Sequence, residues 1–436
     1  MTMSTSLQGI AGRALREPEH GFQDLSRLLS AENLEWCWLF LNKKASPGVD
    51  EVDYYRYQEN LRDNIASLVE RLKSGTYKAR LVRRKWIPKG LDKLRPLGIP
   101  VIEDKLLQMA VKKILEAIYE ADFLECSYGY RPNLGPLDAV KDLTRTLQFG
   151  KVSFVVEADI KGFFDNINHQ WMIKMLEERI DDRRFLRLIG KWLKAGIMEE
   201  DGSVLQPVTG TPQGGIVSPV LANIYLHYAL DLWFEKHFKK DCKGEARLIR
   251  FCDDFVGLFQ VQADAEAFYA GIKGRLEKFH LEVAADKTKV LYFSRYSKVE
   301  DVAFEFLSFE YRWGVSRNGM RIVKRRTSRK KLRLSVANFT QWIKENRHRG
   351  LKWLMKTLNS KYRGYWNYYG VIGNYASLID FFEQTKKILF KWINRRSQRL
   401  SYNWDSFLQM LDGVGIVYPR ITEKVVMSCN SKGGFR

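Results

Sequence analysis

The sequence predicts an α+β fold: a core where strands alternate irregularly with helices, followed by a basic, all-helical domain. Three observations carry that reading. KVSFVVEADI (151–160) is a short apolar run of the kind that fills a buried strand, and its last acidic residue is Asp159. RLIRFCDDFVGLF (247–259) has apolar runs on both sides of Asp253 and Asp254, as in a hairpin with the aspartates at its tip. From about residue 328 to 400 the pattern is helical throughout. The 436 residues suggest two to four domains, and a 45% hydrophobic content is that of a globular chain.

In chain order, residues 1–30 look polar and loosely organised. Residues 31–80 read as helical, broken at Pro47–Gly48 in ASPGVD. LVRRKWI (81–87) suits a strand, and PKGLDKLRPLGIP (88–100) a cation-rich connection. Helix 101–122, the loop SYGYRPN (127–133) and helix 135–148 precede the strand ending at Asp159. Helix 169–195 follows it. GTPQGG (210–215) is a tight loop. Ser218 and Pro219 open the next helix, Ser as N-cap and Pro at the first helical position. The stretch 217–234 is the longest apolar one, but Asn223, His227 and Asp231 mark it as a core helix rather than a membrane span. Residues 263–280 are helical, LEVAADKTKVLYF (281–293) is strand-like, and FEFLSFEYRW (304–313) reads as a second hairpin.

Charge is unevenly spread. Residues 321–400 hold 21 Lys and Arg against three acids, a net +18 out of +21 for the whole chain. Such an excess calls for a polyanionic partner. Within it, Tyr362, Tyr365, Trp366 and Tyr369 recur at the spacing of one helix face, so they read as packing residues rather than stacking platforms. The five cysteines are scattered without a CxxC pair or a Cys/His cluster, so neither a zinc site nor a disulfide framework is indicated, which suits a reducing cytosol. No secretory signal is visible.

The chemistry lies in the carboxylates. Ionised aspartates at the edge of a core are costly unless compensated, and magnesium ions compensate them. Nucleotide addition needs two divalent ions roughly 3.5–4 Å apart, one activating the primer hydroxyl and one steadying the leaving pyrophosphate. Magnesium takes oxygen ligands and keeps waters, so two or three carboxylates plus substrate phosphates suffice. Asp159, Asp253 and Asp254 supply that set if the two strand units converge. A lone Asp-Asp is usually a solvated turn; the apolar strands on either side argue otherwise.

EADIKGFFDNINH (157–169), GTPQGGIVSPVLANIYLHYALD (210–231) and FCDDFVGLF (251–259) resemble, in order, blocks of the reverse transcriptases, above all those encoded by bacterial group II introns. PGVD (47–50), WIPKGLDKLRPLGIPVIEDKLLQMAV (86–111), SYGYRPN, DKTKVLYF (286–293), FEFLSFEYRW and LNSKYRGYWNYYG (358–370) extend the resemblance over roughly residues 30–420. It implies a right-hand polymerase fold: an N-terminal extension (1–30), fingers and palm (31–315), an α-helical thumb (316–400) and a short DNA-binding-like segment (401–436). It implies two Mg²⁺ ions, with Mn²⁺ as substitute, on Asp159, Asp253 and Asp254. Its partners would be an RNA template such as group II intron RNA, a DNA or RNA primer, and dNTPs, with no membrane. No HNH endonuclease domain is expected.

By the same resemblance, Lys89 and Arg95 grip the triphosphate, cations being suited to developing negative charge. A solvated charged loop is the alternative. Phe164 excludes ribonucleotides by clashing with a 2′-hydroxyl, or else packs beside Phe163. Gln213 contacts the incoming nucleotide, and Gly214 and Gly215 allow close backbone approach. Lys287 is an acid for the pyrophosphate or a surface lysine. Arg325, Arg326, Arg329, Lys330, Lys361 and Arg363 track a nucleic-acid backbone, giving affinity without sequence information.

Three positions depart from the family pattern. FCDD stands for the usual YADD, bringing Cys252 beside the metals and primer end. Ser308 and Glu51 stand where Gly is common. These departures open a second expectation, a free-standing group II-like reverse transcriptase recruited for DNA repair or phage defence. A third is an RNA-binding splicing maturase with polymerisation secondary.

Overall fold

The computed structural model describes residues 3–88, 90, 94–211, 213–284, 288–297, 302–316, 318–396 and 401–424. The chain divides into two compact units, Met1–Ser294 and Arg295–Arg436. The strands of the first are β1 (Val82–Pro88), β2 (Leu94–Ile99), β3 (Phe154–Asp159), β4 (Ile197–Met198), β5 (Val204–Leu205), β6 (Ala246–Phe251), β7 (Asp254–Phe259) and β8 (Lys289–Tyr292). Those of the second are β9 (Ala303–Phe306), β10 (Phe309–Val315) and β11 (Arg321–Thr327).

One sheet of the first unit has the order β6-β7-β3-β8. β3 and β7 take its centre because Val155, Val156, Ala158, Phe255, Val256 and Leu258 bury themselves almost completely. Helix Gln262–Glu277 covers this sheet, with Phe268 against Phe259 at 5.3 Å between ring centroids. Gly257 leaves room for that contact, since a Cβ there would meet both rings. The apolar helix Ile102–Tyr119 is buried on nearly every face and lies in the core of the unit. Among the described residues no helix is long and apolar enough to cross a membrane.

The second sheet, β2-β1-β4-β5, departs from the sequence reading. The expected connection 88–100 contains β2, paired antiparallel with β1 from Arg83↔Ile99 to Pro88↔Leu94. Only Gly98 of β2 is buried, so the strand carries no apolar alternation to betray it. Residues 3–16, expected to be loosely organised, form a helix that buries Met3 and Ala14. The expected helix 169–195 is two, His169–Glu177 and Arg183–Leu193. Asp182 starts the second by accepting from the amides of Arg184 and Phe185 at 2.9 and 3.0 Å, an N-cap overlooked within a charged run. Ser218 is the first helical residue rather than the N-cap, and its hydroxyl pairs with that of Thr211 at 2.8 Å.

Among the described residues of the second unit, the sheet β11-β10-β9 precedes the helices Arg329–Asn346, Leu351–Tyr369, Tyr375–Ile393 and Trp404–Gly413. The aromatic stripe packs as its spacing predicts. Tyr362, Trp366 and Tyr369 are buried, and Tyr365 stacks on Phe381 at 3.9 Å. The compact unit begins at Arg295, so the FEFLSFEYRW hairpin groups with these helices.

Of the departures from the family pattern, Glu51, Cys252 and Ser308 sit at positive φ, 57°, 57° and 71°. Leu307 and Ser308 form the two-residue turn between Phe306 and Phe309, the geometry that favours Gly. A side chain in this region costs roughly 1–2 kcal/mol, partly offset by the greater freedom of Gly in the unfolded chain. Glu51→Gly and Ser308→Gly should therefore each stabilise the unit that carries them by up to about 1 kcal/mol, read from urea unfolding. A loss of stability in either variant would contradict the conformational reason for Gly there.

Candidate active site

β3 and β7 pair so that Asp159 lies directly opposite Asp254. Directly opposed residues of an antiparallel pair have Cα atoms about 5 Å apart, and like charges there repel. β6 and β7 close with Phe251 opposite Asp254, leaving Cys252 and Asp253 as a two-residue turn. The two strand units thus converge, bringing all three aspartates to one sheet edge.

The Cys252 side chain is 3% exposed and belongs to the hydrophobic core. Burial, then the charge of Asp253, pushes its thiol well up, so it stays protonated and inert. Cys252 thus stands next to Asp253 with its side chain turned inward from a left-handed backbone position.

The loop after Phe123 supports the hairpin from the other side. The Arg250 amide donates to the Cys126 carbonyl at 2.7 Å, and the Tyr128 amide donates to the Arg250 carbonyl at 2.9 Å. Gly129 sits so close that a Cβ would lie 2.5 Å from the Cys252 nitrogen. Tyr130 follows, its ring 6.1 Å from that of Phe251. Burial raises the Tyr130 pKa, and the charges of Cys252, Asp253 and Asp254 add to that while Arg95 opposes it. Arg95, from the exposed part of β2, therefore acts on the same locality as the aspartates. SYGYRPN was legible as a block, but no pattern in it pointed to Tyr130.

The GTPQGG turn is fastened to the segment after β3. The Thr211 amide donates to the Phe164 carbonyl at 2.8 Å and the Gly210 amide to that of Ile167 at 2.7 Å. On its other side the Gly98 amide of β2 donates to the Gln213 carbonyl at 2.6 Å. Gly214, at φ 119°, could carry no Cβ, which would meet the Gly98 carbonyl oxygen at 2.6 Å. Phe163 is buried while Phe164 and Gln213 are half-buried, so the second phenylalanine keeps an accessible edge. Lys89 and Lys287 lie outside the described residues.

The basic candidates of the second unit divide. Arg325 is buried, and its guanidinium donates to Glu423 at 3.0 and 2.7 Å, so its reading as a nucleic-acid contact gives way to a structural one. Arg326 pairs with Glu310 and is half-buried. Arg329 and Lys330 are exposed in the first turn of their helix, Arg363 is exposed, and Lys361 lies over Trp342 at 4.9 Å.

Three carboxylates are a hard oxygen donor set, the kind that suits Mg²⁺ or Mn²⁺. Among the described residues no three His, Cys, Asp or Glu side chains already form a metal cluster. A magnesium site completed by substrate oxygens and water needs no such preformed cage.

Residues 87–312 match the family described as "Reverse transcriptase (RNA-dependent DNA polymerase)". Protein YkfC of Escherichia coli (strain K12) is 32% identical over 326 residues, covering 66% of this chain and 85% of that protein. The chain belongs to the reverse transcriptase family. Group II intron-encoded protein LtrA of Lactococcus lactis subsp. cremoris is 47% identical over 166 residues, 38% of this chain. That match spans 27% of the length of LtrA. Nuclear intron maturase 4, mitochondrial, of Arabidopsis thaliana is 25% identical over 133 residues, 30% of this chain and 16% of that protein. The chain's similarity to group II intron-encoded proteins is that of the matched segments, and its α+β architecture is the family's right-hand polymerase fold with a helical region following.

Proposed function

We propose that the chain is an RNA-directed DNA polymerase of the group II intron type, which also binds intron RNA as a maturase in splicing and retrohoming. The observation that carries this is the register of β3 and β7, which sets Asp159 opposite Asp254 beside Asp253 at the hairpin tip. In the reaction the 3′-oxygen of a primer bonds to the α-phosphorus of a dNTP and pyrophosphate leaves. Asp159, Asp253 and Asp254 would hold two Mg²⁺ ions, which lower the pKa of the primer hydroxyl and neutralise charge on the phosphates. Arg95, with Lys89 and Lys287, meets the triphosphate; Gln213 orients the nucleotide from a turn clamped between Phe164 and Gly98.

The experiment is extension of a DNA primer on an RNA template with dNTPs and magnesium. Full-length cDNA is expected, and its absence under conditions where the protein binds the template would overturn the polymerase reading. The half-burial of Phe164 supports the reading that its edge meets the sugar. Phe164→Val should raise incorporation of ribonucleotides relative to deoxyribonucleotides by roughly tenfold or more. An unchanged ratio in competition assays would return Phe164 to core packing.

The maturase component rests on the second unit, with Arg329, Lys330, Lys361 and Arg363 as RNA contacts. Splicing of the flanking RNA by an Asp253→Ala variant would separate that role from polymerisation. A gene without intron RNA domains around it would favour the free-standing repair or defence enzyme.

A further inference from the structure

We propose that Arg250 is the positioning residue that holds the aspartate turn in its working shape, through a fully saturated buried network. This rests on the reading of Asp253 and Asp254 as metal ligands. Arg250 and Asp231 have side chains that are 0% exposed. A guanidinium has five N–H donors in a fixed planar fork. Here each has an acceptor. Nε donates to Asp231 Oδ1 at 2.8 Å, and Nη2 to Asp231 Oδ2 at 2.6 Å and Ser127 Oγ at 2.8 Å. Nη1 donates to Asn223 Oδ1 at 3.1 Å and to the Cys252 carbonyl at 3.2 Å.

Four chain segments meet at this one side chain. Asn223 comes from helix Ser218–Leu226, and Asp231 from the π-turn His227–Asp231 that continues it. Ser127 comes from the supporting loop. Cys252 is the left-handed residue immediately before Asp253. The Asn223 side-chain amide closes the circuit by donating to the Gly129 carbonyl at 2.5 Å, and Gly129 is the residue pressed against Cys252.

The arrangement does more than bury a charge pair. A buried ion pair is weak evidence for stability, because desolvation offsets its attraction. What it offers is geometry. The two donors of Nη1 tie a helix side chain to the carbonyl of Cys252, whose positive φ sets the direction in which the next two residues leave. The π-turn also has a local reason. It ends at Asp231, the group that accepts from Nε and Nη2 along one edge of the guanidinium. A lysine keeps the charge but presents no fork, so it cannot hold Asp231, Ser127, Asn223 and Cys252 together.

The test compares the parent chain, Arg250→Lys, Asn223→Ala, Ser127→Ala and Asp253→Ala. Three readouts are taken: melting temperature, Mn²⁺ affinity by electron paramagnetic resonance without nucleotide, and kcat with KM for dNTP in primer extension. Arg250→Lys, still folded at the assay temperature, should lose about tenfold or more in Mn²⁺ affinity and in kcat, with KM for dNTP within about twofold. Should that variant fail to fold, Asn223→Ala and Ser127→Ala, each removing one acceptor, should show the same pattern at smaller size. Lowered melting temperature with Mn²⁺ affinity and kcat within about twofold of the parent, in every folded variant, would make the network structural and overturn the proposal. If Asp253→Ala itself keeps Mn²⁺ affinity and activity, the metal-ligand reading has failed instead.

Discussion

Asp253→Ala is expected to lower primer extension by at least about a thousandfold, equivalent to roughly 4 kcal/mol of lost transition-state stabilisation. Asp253 occupies a half-buried turn at the sheet edge, away from the packed positions of β6 and β7. The substitution should therefore leave the fold intact, with a melting temperature close to the parent's. It should also lower Mn²⁺ affinity, which separates loss of a ligand from loss of a nucleotide contact. Extension at the parental rate would remove Asp253 from the chemistry and with it the meaning of the converging strands.

Gly129→Ala is the second large effect expected, and it acts without touching a carboxylate. Its Cβ would lie 2.5 Å from the Cys252 nitrogen and 3.1 Å from the Phe251 carbonyl carbon. Both are backbone atoms, which cannot swing aside as a side chain can. The loop and the hairpin must part, and overpacking of this kind costs roughly 1–3 kcal/mol. A displacement approaching 1 Å at reacting groups can cost about a hundredfold in rate. Gly129→Ala should therefore fall about a hundredfold in kcat while still binding template RNA. Activity within about threefold of the parent would show that the loop does not set the position of the turn.

The catalytic half of this molecule was legible because its signals are local and strong. The apolar run ending at Asp159 and the runs flanking Asp253 and Asp254 can be little other than core strands, and they are β3, β6 and β7. Their mutual register was not legible, since nothing in either segment states that Asp159 faces Asp254; the ordered family blocks supplied that expectation. The β1–β2 hairpin was half missed because β2 carries a proline and a glycine and shows no apolar alternation, so its strand character comes from pairing rather than from its own pattern. Arg250, Asp231 and Asn223 were missed as a group because they are distant in sequence. A charged residue within an apolar strand was a signal, as was Asp231 at the end of an apolar helix, but only the fold shows that they face one another. Arg325 went the other way. In a run of like charges it looked like any phosphate contact, and only its burial beside Glu423 sets it apart. The burial of Cys252 was not legible either, because its place in the motif gives its neighbour Asp253 but not its own backbone φ.

The most direct test is a magnesium titration of single-dNTP addition to a DNA primer on RNA, run with the parent chain, Asp159→Ala and Asp253→Ala. The expected result is strict dependence on Mg²⁺ in the parent and no addition by either variant at any Mg²⁺ concentration, although both still bind the primer–template. Addition by the parent after complete chelation, or undiminished addition by either variant, would contradict a metal site built on those aspartates.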